Sequence, residues 1–308
     1  MGALPEQIAG IEKPRHTPRR KPSIAKRWLS PDALISHIGL ILICASFLLP
    51  FGWLVSTSLK SSSQTVAFPP EMIPHPVMWE NYKTVLTDER VDFPLFARNT
   101  LIVAALSVTG TTISSAIVAY GFARIKFKGR GLLFALMLST MMIPFPVIMV
   151  STFTMFRWMG DHGLQMLGTF RPLWVPAWFG SAFNIFLLRQ FFMTIPEELS
   201  ESARMDGCSE LGIFLRIILP LARPALSVVA LFAFMYSWND YLAPLVYLQR
   251  PSQFTLALGL QAYQSAHAGT EYNYLMAASL MIIAPVILLY FLTQKTFIQG
   301  IATTGLKG

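Results

Sequence analysis

Long apolar runs alternate along this chain with short polar segments, and the run lengths predict the elements. A helix rises about 1.5 Å per residue, so about 20 apolar residues cross a hydrocarbon layer of about 30 Å. Windows free of Asp, Glu, Lys and Arg at residues 33–59, 99–123 and 131–156 reach that length. A fourth, 172–188, is short, but Arg189 can snorkel at its end while Gln190, Phe191 and Phe192 extend it. The fifth, 224–239, is interrupted by Asp240 and resumes through Val246; the sixth, 272–294, is unbroken. The pattern predicts an all-α polytopic membrane protein with six transmembrane helices. Pro144, Pro146, Pro176 and Pro285 each remove a backbone donor and predict kinks within the spans.

Composition fits a chain dissolved in lipid. Hydrophobic residues make up 54% of 308 residues and charged ones 13%, about half the charged share of a soluble domain. Cys44 lies in an apolar run and Cys208 in a polar one, a context that gives neither a disulfide nor a metal site. His16, His37, His75, His162 and His267 are scattered, so no metal cluster or Ser-His-Asp arrangement is visible. No phosphate-binding Gly-x-x-x-x-Gly-Lys-Ser/Thr loop occurs either. The chain therefore reads as a non-enzyme with no catalytic, cofactor-binding or metal residues.

Charge then orients the spans. With the N-terminus in the cytosol, 17 of the 24 Lys and Arg residues fall on cytosolic segments, the split that the positive-inside rule favours. Both termini are then cytosolic. The net charge of +8 follows from that bias and from attraction to lipid headgroups, so it implies no nucleic-acid partner. Residues 1–32 read as a basic, disordered cytosolic tail, 33–296 as one six-helix membrane domain, and 297–308 as a C-terminal cytosolic tail. Outside, residues 60–98 form the longest loop, with a short helix expected around residues 82–86.

One polar island stands out at residues 197–220, on the cytosolic side between helices four and five. Thr194-Ile195-Pro196-Glu197 has capping-box spacing with proline in the first turn, predicting a helix start there. Leu199 and Ala203 give a narrow apolar strip, while Glu198, Glu201 and Arg204 recur on another face. Gly207 is expected to end that helix, and Ser209 with Glu210 to start a second that runs to Pro220. Within residues 194–220, a helix, a glycine turn and a second helix make a cytosolic projection.

Glu201-Ser202-Ala203, Asp206-Gly207 and Ile217-Ile218-Leu219-Pro220 resemble the EAA motif of importer permeases in ATP-binding-cassette (ABC) transporters, with Ser202 where alanine is common. Asn81-Tyr82, Asn99-Thr100, the run from Ala119 to Arg124, the run from Leu187 to Phe192 and Trp238-Asn239-Asp240 resemble the carbohydrate-uptake branch. The C-terminal Phe297-Ile298-Gln299-Gly300 and Gly305-Leu306-Lys307-Gly308 are similar to the end of the smaller permease of maltose-type, binding-protein-dependent importers.

The resemblance implies the type I ABC importer permease fold in the cytoplasmic membrane. It further implies a second homologous permease as heterodimer partner, two ATP-binding subunits that carry ATP and Mg, and an extracytoplasmic solute-binding protein. Glu201, Ser202, Ala203, Arg204, Asp206, Gly207, Leu219 and Pro220 are the expected ATPase-coupling residues. Helix five, rising from Pro224, carries Asp240 about 24 Å along, near the outer edge of the hydrocarbon. Trp238, Asn239 and Asp240 are therefore candidates for the substrate pathway; capping of a helix, or pairing of Asp240 with Arg250, is the competing reading. The alternative function is a self-contained secondary transporter, which usually has inverted repeats and buried ionisable groups; apart from Asp240 the spans have almost none. A membrane enzyme or scaffold is a weaker third reading, since no paired carboxylate or nucleophile lies near a span.

Overall fold

The structure, a computed structural model, describes residues 31–265 and 269–305, with side chains over 33–264 and 269–294. Most of the basic tail, His267 and Lys307 lie outside the described residues. The chain divides between Gly52 and Trp53 into two units. In the first, helix α1 (Pro31–Ser58) begins. Up to Phe51 its side chains are mostly apolar and exposed, with Phe47 80% accessible, as suits a helix solvated by lipid.

The second unit is built on α3 (Phe93–Arg124), preceded by the short helix α2 (Glu80–Thr87). Asp92 caps α3 by accepting from the Leu95 amide at 3.1 Å, and Pro94 occupies its first turn. Ser107, Gly110, Thr111, Ser115, Ala116 and Ala119 form its buried face. These small side chains let neighbouring helices approach closely, the usual basis of packing in lipid. At Gly110 the approach is so close that any Cβ would collide with the Trp178 indole.

The third apolar window is not one rod. It comprises α4 (Arg130–Ser139), a 3₁₀ turn and α5 (Phe145–Asp161), with a bend of 101°. Pro144 forces Ile143 out of the helical region, to φ −91° and ψ 109°, and Pro146 sits in the first turn of α5. The fourth window is also divided. Short turns at Arg171–Trp174 and Pro176–Phe179 lead through Gly180 and an extended Ser181 into α6 (Ala182–Thr194).

After α6 come α7 (Glu198–Met205) and α8 (Glu210–Ile213), the latter continued by a π-helical turn at Phe214–Ile218. An 80° bend near Ala222 then starts α9 (Arg223–Trp238). Helix α10 (Leu242–Tyr247) and a segment ending in a two-strand ladder, Gln264–Ser265 with Gly269–Thr270, lead to α11 (Tyr272–Gly305). Helix α11 continues past residue 297, where the sequence places the start of a tail, and passes through Pro285 without ending.

By length and composition three helices can cross a membrane unaided, and up to five if each bent pair is one span. The divided fourth window is what separates that number from six. Several apolar, membrane-length helices are thus present.

Three cores hold this unit together, the smallest made by Phe156, Met166, Leu167 and Tyr247. Of the two larger, one, toward α7 and α8, gathers Tyr120, Leu188, Phe192, Ile213, Phe214, Ile218 and Val229; the other gathers Val85, Phe96, Trp238, Tyr263, Ala277 and Ala278 at the end carrying α2. The second core is pinned by polar clamps. The Asn81 amide donates to the Ser58 and Lys60 carbonyls at 2.9 Å each, and Asn99 donates to the Ser252 and Phe254 carbonyls at 3.0 Å each. Thr100 Oγ1 accepts from the Leu256 amide at 2.8 Å. The two asparagines satisfy carbonyls, and Thr100 an amide N–H, that irregular backbone leaves open.

Candidate functional site

The island folds as two helices about a turn, with one local difference from expectation. Thr194 is the last residue of α6, and its hydroxyl donates back to the Phe191 carbonyl at 2.7 Å. It therefore closes one helix instead of capping the next, and no capping box forms. Ile195 is extended, and α7 begins only at Glu198.

The end of α7 follows the glycine signal. Gly207 has φ +79°; the Gly207 amide donates to the Arg204 carbonyl at 3.0 Å and the Cys208 amide to the Ala203 carbonyl at 2.9 Å. This pair of bonds is the Schellman motif, which needs a left-handed residue at that point. Ser209 then caps α8, its hydroxyl accepting from the Gly212 amide at 3.2 Å. Pro220 lies just beyond the π-helical turn and offers no N–H to the Arg216 carbonyl four residues back.

Helix α7 touches the rest of the protein along a thin strip. Ser200 is buried and Ala203 half-buried, whereas Glu201, Ser202, Arg204, Met205, Asp206 and Gly207 are exposed. Leu199, expected on the apolar strip, is 43% exposed. Leu219 is half-buried in the core and Pro220 exposed. The hairpin thus rests on its second helix, through Ile213, Phe214 and Ile218, and holds α7 outward.

What fixes its position is a charge-assisted tie. Glu210 Oε1 accepts from Arg204 Nε at 2.7 Å, bridging the two helices, while Glu210 Oε2 accepts from the Tyr120 hydroxyl at 2.7 Å. The Arg204 guanidinium, aided by the Tyr120 hydroxyl, holds the Glu210 carboxyl below its ordinary range, and Glu210 in turn raises Arg204. The Phe214 ring packs 5.0 Å from that of Tyr120. One turn further along α3, Arg124 donates to the Phe192 and Ile195 carbonyls, holding the segment that enters α7. Sequence reasoning left Tyr120, Arg124 and Glu210 out of the site; the signal was the run from Ala119 to Arg124, read only as resemblance.

A second feature lies within the helices. A cavity of about 590 Å³ is enclosed by α3, α5, the 172–184 segment, α9 and α10. Its walls are mainly apolar; Asp240, Tyr236, Asn184, Thr152 and Ser237 supply polar groups. Asn184 is buried, and its Oδ1 has no hydrogen-bond partner. Asp240 sits between α9 and α10, its Oδ1 accepting from the Ala243 amide at 3.2 Å, so it does cap α10. No ion pair joins it to Arg250 among the described residues.

The other two pathway candidates face elsewhere. Trp238 is buried, stacks 5.1 Å from the Phe234 ring and donates from Nε1 to the Ile282 carbonyl at 3.1 Å, joining α9 to α11. Asn239 is exposed and donates back to the Met235 carbonyl at 2.8 Å.

Similarity to known proteins follows the same outline. A family model described as "Binding-protein-dependent transport system inner membrane component" matches residues 112–303, which include α5, α6, the hairpin, α9 and most of α11. The arabinooligosaccharides transport system permease protein AraQ of Bacillus subtilis (strain 168) is 33% identical over 285 residues, covering 91% of this chain and 99% of that protein. The trehalose/maltose transport system permease protein MalG of Thermococcus litoralis is 31% identical, covering 88% of this chain and 95% of its own length. The sn-glycerol-3-phosphate transport system permease protein UgpE of Yersinia enterocolitica is also 31% identical, covering 87% and 95%. In fold, the chain matches one from the crystal structure of a bacterial ABC transporter that imports the acidic polysaccharide alginate, with a TM-score of 0.74 at 24% identity over 89% of this chain and 98% of the other. With well over half the residues inside the family model and relatives above 30% identity along nearly their whole length, the chain belongs to the binding-protein-dependent transport system inner membrane components.

Proposed function

We propose that this chain is the smaller permease subunit of an ATP-driven saccharide importer, spanning the membrane six times with both termini in the cytosol. The divided fourth window, 172–194, counts as a span in this reading, since its two halves together approach the length of one. A second, homologous permease completes the pathway, two ATP-binding subunits supply hydrolysis with their own ATP and Mg, and an extracytoplasmic binding protein delivers the solute. The chain itself carries out no chemistry on either ATP or cargo. Its relatives are named for neutral oligosaccharides and for a phosphate ester, so saccharide-like cargo is the shared theme.

The observation that carries this reading is the tethered hairpin. Helix α7 presents Glu201, Ser202, Arg204 and Asp206 outward, suited to specific docking in a groove of an ATPase subunit. The Glu210 bridge to Arg204 and Tyr120 ties that helix to α3, so a displacement imposed on α7 reaches a membrane helix that borders the cavity. Asp240, in the cavity wall, is the pathway residue in this scheme; Trp238 positions it by joining α9 to α11.

The test is coupling in proteoliposomes carrying the whole complex. Gly207→Pro removes the amide that bonds Arg204 and forbids the positive φ, and Glu201→Lys inverts the outward charge. Either is expected to cut substrate-stimulated ATPase at least tenfold while membrane insertion stays intact. Unchanged stimulation in both variants would rule out the hairpin as the coupling element.

A further inference from the structure

The charge of the cavity wall narrows the cargo. Of its lining residues, Asp240 alone brings a carboxyl group, and no Lys, Arg or His is among them. Asn184, buried in the same wall, holds an amide oxygen with no partner, which is an acceptor waiting for a donor. Tyr236 adds a ring that is 72% exposed and a hydroxyl, and Ser237 and Thr152 add hydroxyls. Carboxylate and amide oxygens that accept, beside an aromatic face, match a solute rich in O–H donors and C–H faces.

One element works the other way. Helix α6 begins at the cavity, at Ala182, and a helix N-terminus carries about half a positive charge. That is half the magnitude of the Asp240 carboxylate and opposite in sign. No basic side chain offsets the carboxyl, and the buried groups left without partners, the Asn184 oxygen and the Tyr247 hydroxyl, are an acceptor and a neutral donor, both suited to hydroxyl groups.

We infer that the solute passing this cavity is an uncharged polyhydroxylated one, a neutral oligosaccharide or polyol, and that Asp240 turns away phosphorylated, sulfonated or uronate cargo. This rests on the importer reading above and specifies the substrate class for the same site. Family membership does not decide the matter, because relatives are named for both neutral and anionic solutes.

Two measurements on the intact complex test it. The first reads the local potential without reference to transport. With Cys44→Ala and Cys208→Ser, Ser237→Cys places one thiol in the cavity wall. Its modification rates are compared for a cationic and an anionic methanethiosulfonate reagent of similar size, with and without Asp240→Asn. The cation-to-anion rate ratio is expected to fall at least fivefold when Asp240→Asn is added. An unchanged ratio, or no reaction with either reagent, overturns the assignment of an acidic, solute-accessible cavity. Should Asp240→Asn fail to assemble, Thr152→Lys in the same background is expected to lower the ratio as much, and no change there overturns it equally.

The second measurement is ATP-dependent uptake of labelled neutral arabinose and maltose oligosaccharides against galacturonate oligomers, with the complex's own binding protein. A neutral preference of at least tenfold is expected. A galacturonate preference with the thiol ratio intact overturns the substrate class and leaves saccharide import standing. Uptake of none of them, with the thiol ratio intact, overturns the importer reading and the substrate class with it.

Discussion

The polar hairpin and the cavity among the helices are built by opposite rules. The hairpin is continuous in sequence: residues 197–220 contain its helices, its glycine turn, its cap and one half of the tie that anchors it. The cavity draws its wall from residues between Ser107 and Tyr247, contributed by five separate segments. In the proposed importer the hairpin moves as a lever and has to be stiff by itself, so its stability is local. A part that must enclose a solute has no local stability of its own, and its chemistry is whatever few polar groups the packing of helices brings together. Helices α3, α6 and α9 run between the two, and α3 carries the charge-assisted tie: its end binds the hairpin and its middle lines the cavity.

The largest expected effect comes from breaking the cavity side alone. Gly110→Leu drives a side chain into the Trp178 indole, behind the wall formed by Ser107, Thr111 and Ala177. Overpacking of this kind costs about 1–3 kcal/mol or more, and here it must displace the 172–181 segment. Uptake should be lost, while copurification of ATPase subunits through the hairpin should persist. Loss of both together would mean that the two regions are not separable.

The link between them is the next target. Tyr120→Phe keeps the ring against Phe214 but removes the hydroxyl that donates to Glu210, a bond to a charged group of about 1.5–3 kcal/mol. Solute moved per ATP hydrolysed should fall about two- to tenfold, with basal ATPase and assembly unchanged. An unaltered ratio in proteoliposomes would show that motion of α7 reaches the helices by another route, the Arg124 bonds to Phe192 and Ile195 being the alternative.

The same contrast explains what the sequence made legible. The turn at Gly207, the cap at Ser209 and the outward placement of Glu201 and Asp206 were readable because each depends on neighbours within four residues. Thr194 misled because threonine closes helices as well as opening them, and only the partner of its hydroxyl distinguishes the two. The bend of 101° at Ile143 and Pro144 exceeds the kink that two prolines suggest, since proline marks where a helix breaks and tertiary packing sets the angle. Tyr120 could not be matched to Glu210 from a separation of 90 residues. In the Trp238-Asn239-Asp240 run, spacing alone gave no means of telling that the indole faces the core while the carboxylate faces the cavity.

The smallest effect separates the hairpin's charge from its fold. Arg204 first, and the Tyr120 hydroxyl second, hold the Glu210 carboxyl below its ordinary value of about 4.3. A depressed carboxyl stabilises the tie fully above that ordinary value, and the contribution fades as pH falls through the lower, folded one. The tie should therefore be constant from pH 8 to about 5 and weaken only below about 4, the carboxylate range. The Glu210 side chain is 46% exposed, so solvent screening keeps the change modest. A spin label on Met205→Cys, at a site 88% exposed, reads the mobility of α7 once Cys44 and Cys208 are replaced. Mobility should rise only on the acid side, and the step should vanish in Glu210→Gln. A step that survives that substitution would belong to another carboxylate, and the hairpin would then owe its position to the packing of Ile213, Phe214 and Ile218 alone.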